Sequence, residues 1–191
     1  LPYEQRRAFV AAVPADVVVV IDEAYNEYIP PSERVDTAEW LAEFPNLVIT
    51  RTFSKIYGLA GLRVGYAMAS AEVADLMNRV RQPFNCNNLA IAAAAAALGD
   101  EEFVARSYAL NRAGMEQIVA GLKRLGYAHI PSSGNFLAFK AGDAAALNQK
   151  LLKQGVIVRP VAGYGMPEWL RVTIGSENEN ARFLEALELA Q

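Results

Sequence analysis

The sequence has very few of the residues that build redox and metal centres. Its 191 residues include one cysteine, Cys86, and one histidine, His129. A single cysteine excludes an intrachain disulfide and any zinc site with several cysteine ligands, and a single histidine excludes a histidine-rich metal centre. We therefore expect both residues to be structural and the chain to hold no metal ion.

The sequence also has no excess of positive charge and no long apolar run. Its formal net charge is −3, so a polyanion finds no general attraction and nucleic acid is excluded as a partner. The longest apolar run, Leu89 to Leu98, is far too short to cross a bilayer, which predicts no membrane segment. The opening Leu-Pro-Tyr-Glu does not resemble a signal peptide, so we expect a cytoplasmic protein.

What the chain does have is material for a large core, with 53% hydrophobic residues. A β-branched run at Val17–Ile21 predicts a strand buried on both faces of a parallel sheet. Two further strands are expected at 46–50 and 64–68, and helices at 37–44, 71–81, 89–98 and 101–125. Strands that alternate with helices indicate an α/β layer.

The remainder of the sequence has a different pattern. Short strands are predicted at 136–139, 156–158 and 170–174, with a helix at 143–153. Ser176 and Glu179 form a capping-box pattern for a last helix that ends at Leu189. We therefore predict a small α+β domain over residues 116–191, after an α/β domain over residues 1–115.

Polar residues cluster after the first two predicted strands. Asp22 and Tyr25 follow the first strand, and Thr52, Ser54 and Lys55 follow the second, with Arg63 eight residues further on. Open α/β sheets bind ligands at such strand ends. A lysine beside hydroxyl groups and an arginine offers an amine nucleophile next to an anion site. Composition alone favours a solvated basic loop over such a site.

Two ordered motifs favour a site. Residues 52–66, Thr-Phe-Ser-Lys-Ile-Tyr-Gly-Leu-Ala-Gly-Leu-Arg-Val-Gly-Tyr, resemble the lysine motif of the fold-type I pyridoxal-phosphate aminotransferases. Residues 21–25, Ile-Asp-Glu-Ala-Tyr, resemble the aspartate motif that precedes it. Within that superfamily, residues 155–175 resemble the histidinol-phosphate aminotransferase family. The resemblance covers essentially the whole chain.

The resemblance implies a role for each matching residue. Lys55 would hold the aldehyde of pyridoxal 5′-phosphate and carry the proton, Asp22 would face the ring nitrogen, and Tyr25 the ring 3-oxygen. Ser54 and Arg63, with Thr52, would bind the cofactor phosphate. At the substrate end, Arg171 would bind a carboxylate and Arg159 a phosphate, with Asn135 near the substrate. Tyr57, Tyr66 and Tyr164 are expected to be packing residues, with lining of the site entrance as the alternative for Tyr164.

The resemblance also implies a larger protein. Family members are considerably longer, so the chain would be their C-terminal portion: the second half of the mostly parallel, mixed sheet of the large domain, plus the small domain. By itself that portion is expected to be inactive, and the complete enzyme to be a homodimer. Its substrates would be a small-molecule amino donor and a 2-oxo acid.

Alternatives to this interpretation are an aromatic-amino-acid aminotransferase, a threonine-phosphate decarboxylase of the same architecture, and a non-catalytic assembly module. Glu23 and Glu27 beside Asp22 are carboxylates of the kind that bind a divalent metal ion, but no further ligands follow at a useful spacing, so we expect no metal site there. Lys55 and Asp22 are both intact, which argues against the non-catalytic module.

Overall fold

A computed structural model describes residues 3–191 and divides the chain into two compact units. The first ends at Val104 and the second comprises Ala105–Gln191. The division falls within a long helix, as does the domain boundary at 115/116 predicted from the sequence. That predicted boundary stays a prediction.

The first unit contains a three-stranded mixed sheet. β1 pairs in parallel with β2, and β2 pairs antiparallel with β3. The helices and strands of this unit are α1 (Tyr3–Ala12), β1 (Val19–Asp22), β2 (Leu47–Thr52), β3 (Gly65–Ala69), α2 (Ala71–Val80) and α3 (Asn88–Leu98), with 3-10 turns at Asn26–Tyr28, Pro31–Glu33, Thr37–Ala42 and Ala60–Leu62.

Two expectations for this unit are corrected. The predicted helix at 37–44 is a 3-10 turn, Thr37–Ala42, which the Asp36 side chain caps through the amide of Ala38. β1 is covered on one face only, because Val18 and Val20 on its other face are each 59% exposed whereas Val19 packs with Trp40 and Leu47. The apolar run therefore does not lie between two covering layers of this chain. α1 was not predicted.

The second unit is a three-stranded antiparallel sheet packed against helices. The strand order is β4-β6-β5. Its elements are β4 (Phe136–Lys140), α5 (Ala144–Lys153), β5 (Arg159–Pro160), β6 (Trp169–Thr173) and α6 (Glu177–Leu189), with a 3-10 turn at Ala162–Tyr164 and most of the long helix α4 (Glu101–Arg124), whose first residues belong to the first unit. Buried side chains of alternate strand positions form its core with the helices, among them Leu137, Phe139, Leu170 and Val172.

The capping signals of this unit are confirmed, and one strand is corrected. Ser176 and Glu179 form the expected capping box at the start of α6. The predicted strand at 156–158 is absent, because the Val156 amide bonds to Leu151 O at the end of α5 and only Arg159–Pro160 pair with β6. Two glycines of α4 lie against neighbouring residues: a methyl group on Gly121 would come within 2.4 Å of Leu184, and one on Gly114 within 2.6 Å of Ile174.

Within residues 3–191, no helix is long and apolar enough to cross a membrane. In the same part of the chain, no three His, Cys, Asp or Glu side chains are grouped as metal ligands.

Candidate active site

The candidate residues of the first unit gather at the carboxyl ends of β1 and β2. Asp22 is the last residue of β1 and is in register with Thr50 of the neighbouring strand. Its Oδ1 accepts the Ala24 amide at 3.0 Å, which begins the tight turn that leads to Tyr25. Register and turn thus place a carboxylate and a phenol beside the end of β2.

Lys55 lies in the turn that follows β2, close to Tyr25. Its Nζ is 5.3 Å from the centre of the Tyr25 ring, and the side chain is half-buried. The Gly58 amide donates to Lys55 O at 2.9 Å, and Gly58 adopts a φ of +71°, which favours glycine. The turn therefore directs the amine back toward the end of β1.

Hydroxyl and guanidinium groups surround the same turn. The Ser54 amide donates to Thr52 Oγ1 at 3.1 Å, so the Thr52 hydroxyl hydrogen remains available for another acceptor. Arg63 is exposed, and its Nη1 donates to Ala60 O at 3.0 Å. Its backbone is left-handed, with a φ of 54°, which is uncommon for any residue other than glycine. These donors suit a phosphate group.

Three aromatic rings pack against one another beside this turn. Phe53 is buried, and its ring lies 5.1 Å from that of Tyr57 and 5.8 Å from that of Tyr66. Burial, and then the negative charge of Glu27, raise the pKa of Tyr57. Burial likewise raises the pKa of Glu27. Tyr57 and Tyr66 are packing residues, as predicted.

The candidate residues of the second unit lie on its sheet. Arg159 of β5 and Arg171 of β6 are direct partners across the two strands and so share one face. This face is opposite the one that Leu170 and Val172 bury in the core. The Arg171 guanidinium lies 4.4 Å from the centre of the Phe136 ring, and Arg159 Nη2 donates to the Tyr164 hydroxyl at 3.2 Å.

Directly opposed like charges destabilise a sheet unless something lies between or beside them to compensate. The paired arginines therefore indicate an anion site. Asn135 is half-buried just before β4, where its carbonyl accepts the Ile174 amide at 2.8 Å. Tyr164 is 68% exposed, and its hydroxyl accepts a hydrogen bond from Arg159. Its predicted packing role is therefore wrong.

Sequence reasoning missed one polar pair in the first unit, beside Asp22. Glu23, considered only as a metal ligand, is 6% exposed and accepts from Arg51 Nε at 2.8 Å. No sequence signal pairs them, because their partnership depends on the register of β1 against β2. In that register Asp22 and Thr50 are partners, and each charged residue follows one of them.

Known proteins resemble this chain over its whole length. Residues 1–187 match the family model described as aminotransferase class I and II. The chain is 77% identical over 190 residues to histidinol-phosphate aminotransferase 1 of Dechloromonas aromatica, and this match covers all of the chain and 52% of the relative. The chain thus spans about half the length of the curated relatives it matches.

Solved structures show the same similarity. The crystal structure of histidinol-phosphate aminotransferase from Sinorhizobium meliloti in complex with pyridoxal-5′-phosphate has a TM-score of 0.91 and 30% identity, over 100% of this chain and 53% of that one. L-threonine-O-3-phosphate decarboxylase from Porphyromonas gingivalis has a TM-score of 0.84 and 25% identity, over 99% and 59% of the two chains.

Proposed function

The chain belongs to the aminotransferase class I and II family, and on that premise we propose that the complete protein transfers an amino group between L-histidinol phosphate and 2-oxoglutarate with the help of pyridoxal 5′-phosphate. The products are imidazole acetol phosphate and L-glutamate, a step of histidine biosynthesis. The observation that carries the proposal is the 77% identity to a histidinol-phosphate aminotransferase over the whole of this chain.

The donor set in the first unit fits pyridoxal phosphate. Lys55 supplies the one primary amine in the turn after β2, and its neighbours carry a carboxylate and a phenol. Ser54 and Arg63 supply hydroxyl and guanidinium donors for a phosphate. The relative solved with pyridoxal-5′-phosphate has the same fold over the full length of this chain.

Each residue of this cluster has a chemical task in the proposed reaction. Pyridoxal phosphate, when bound, supplies an electron sink for the charge that develops on the substrate α-carbon. Lys55 Nζ would hold the cofactor and would carry the proton from that α-carbon to the cofactor. The Asp22 carboxylate would keep a proton on the ring nitrogen, and the Tyr25 hydroxyl would orient the ring through its 3-oxygen.

The arginines of the second unit bind substrate anions in this proposal. The planar fork of Arg171 suits the carboxylate of 2-oxoglutarate and glutamate. Histidinol phosphate has no carboxylate, so Arg171 serves its phosphate together with Arg159. Because the two guanidinium groups lie on one face of adjacent strands, a single dianion can compensate both charges. We assign Asn135 to the same substrate end.

The test measures the substrate preference of the complete protein. Product is quantified with histidinol phosphate and with phenylalanine as amino donor, each with 2-oxoglutarate. We expect a clear preference for histidinol phosphate in kcat/KM. A preference for phenylalanine would instead indicate an aromatic-amino-acid aminotransferase, and carbon dioxide release from threonine phosphate would indicate a decarboxylase.

We further propose that the complete enzyme is a cytoplasmic homodimer. The dimer is what the family resemblance implies, and sedimentation of the complete protein tests it. The single cysteine supports the proposed compartment, since the described fold needs no disulfide and hence no oxidising environment.

A further inference from the structure

A buried ion pair lies on the side of the first sheet that faces away from the proposed chemistry. Glu23 Oε2 accepts from Arg51 Nε at 2.8 Å, and Glu23 Oε1 accepts from the hydroxyl of Thr37, a fully buried residue. Arg51 Nη2 also lies 3.7 Å from an Asp36 carboxylate oxygen. Both oxygens of the buried carboxylate thus have a partner.

The pair lies at the level of the candidate active site. Asp22 and Thr50 are in register, and the Glu23 amide donates to Thr50 O at 2.8 Å. Because side chains alternate along a strand, Glu23 and Arg51 lie on the face opposite Asp22 and Thr52. The ion pair therefore ties the end of β1 to the end of β2, within one residue of Asp22 and of Thr52.

Arg51 is held in its charged form by its partners. Burial by itself lowers the pKa of Arg51, but the hydrogen bonds and charge of Glu23 and Tyr66 outweigh burial and raise it above its ordinary value. A buried carboxylate that loses its cation is strongly unfavourable, so β1 cannot slip against β2 without separating the charges.

We propose that Glu23 and Arg51 are positioning residues whose ion pair sets the register between Asp22 and the Lys55 turn. The inference rests on the proposed function, since Asp22 and Lys55 act on the two ends of one cofactor ring system. Displacing one group relative to the other by a fraction of an ångström changes the distance and orientation of both groups relative to the cofactor.

The experiment compares this pair with an exposed ion pair of the same unit. Arg7 Nη2 lies 2.6 Å from Glu43, and both side chains are partly exposed, so Glu43→Gln is the matched control for Glu23→Gln. In the complete protein we expect Glu23→Gln to lower kcat by about 10- to 100-fold, with KM for the amino donor nearly unchanged. The dissociation constant for pyridoxal phosphate should rise, whereas Glu43→Gln should match wild type in all three values.

A second variant keeps both charges. Thr37→Val removes only the hydroxyl that donates to Glu23 Oε1. We expect a smaller fall in kcat than in Glu23→Gln, and a dissociation constant for pyridoxal phosphate that rises in the same direction. If Glu23→Gln does not fold, the Thr37→Val result alone decides the inference. Wild-type kcat and cofactor affinity in every folded variant, even with a lowered melting temperature, would reduce the pair to a structural role and overturn the inference.

Titration of the complete wild-type protein with pyridoxal phosphate separates this inference from the proposed function. If the complete wild-type protein does not bind pyridoxal phosphate, the proposed function fails and the positioning role fails with it. If wild type binds the cofactor and the Glu23 and Thr37 variants behave as wild type, only the positioning role is overturned.

Discussion

The two three-stranded sheets present their polar residues in different ways. In the first sheet, Asp22 and Lys55 lie at and beyond the carboxyl ends of β1 and β2, so strand register and turn geometry decide where they meet. In the second sheet, Arg159 and Arg171 lie on the strands themselves, and direct cross-strand pairing puts them on one face. The first arrangement also depends on the turn beyond a strand, whereas the second depends on strand pairing.

The largest expected effect comes from the turn of the first sheet. Lys55→Ala should abolish covalent attachment of pyridoxal phosphate and transamination in the complete protein, because no other lysine lies in that turn. Borohydride reduction followed by peptide mapping measures the attachment. Lys153→Ala, on an exposed position of α5, is the control. A label on a lysine other than Lys55 would disprove the assignment.

Substitution of Asp22, at the end of β1, should have the next largest effect. Asp22→Asn should retain the cofactor but lower turnover by several orders of magnitude, since a neutral amide does not keep the ring nitrogen protonated. Cofactor stoichiometry and single-turnover rates check this prediction. Near-normal turnover at full cofactor content would exclude Asp22 as the partner of the ring nitrogen.

Substitutions of the arginines on the face of the second sheet should weaken substrate binding without affecting cofactor binding. Arg171→Ala should cost roughly 2–5 kcal/mol for amino-acid and keto-acid substrates, the effect of losing one partner of a buried charge pair. Arg159→Ala should act on the histidinol-phosphate half-reaction. Arg124→Ala, an exposed arginine paired with Glu188, is the control. Unchanged histidinol-phosphate kinetics in Arg159→Ala would exclude Arg159 from phosphate binding.

A packing change in the second unit should alter stability more than chemistry. Gly121→Ala places a methyl group 2.4–2.9 Å from the Leu184 side chain, so overpacking should destabilise the protein by roughly 1–3 kcal/mol. Gly163→Ala is the control, because a methyl group there meets no heavy atom within 4 Å. Urea unfolding of both variants measures the difference, and equal midpoints would contradict the close approach of α4 to Leu184.

The smallest effect should be a pH dependence at the start of α6. Hydrogen bonds from the Ser176 amide and then its hydroxyl lower the pKa of Glu179 from its ordinary value of 4.5. A lowered folded-state pKa contributes stability that is present above 4.5 and is lost as the pH falls through the lowered value. Protection factors of the first-turn amides should therefore fall on acidification in wild type and stay flat in Glu179→Gln, with Glu185→Gln behaving as wild type.

Local signals in the sequence predicted most helices of both units. Ser176 caps α6 where its pattern placed it, because a cap depends on residues three positions away. Predictions that depend on contacts between distant parts of the chain were wrong. The exposure of Val18 and Val20 depends on what covers the sheet, and the extent of β5 depends on which residues meet β6.

The candidate site divides in the same way. Motif spacing placed Asp22, Tyr25 and Lys55 in one group, and the structure brings them to the same pair of strand ends. The partnership of Glu23 with Arg51 depends on the register of β1 against β2, which the sequence does not state. Composition alone favours a solvated loop for Lys55, and only the two motifs favour a site.

The left-handed backbone at Arg63 has a consequence for protein engineering. A residue with a side chain in that conformation costs on the order of 1–3 kcal/mol, which a glycine would largely avoid. A search for stabilising substitutions would therefore select Arg63→Gly and raise the melting temperature while removing the proposed phosphate ligand. Arg63 is thus a position where thermostability and cofactor affinity are expected to trade off against each other.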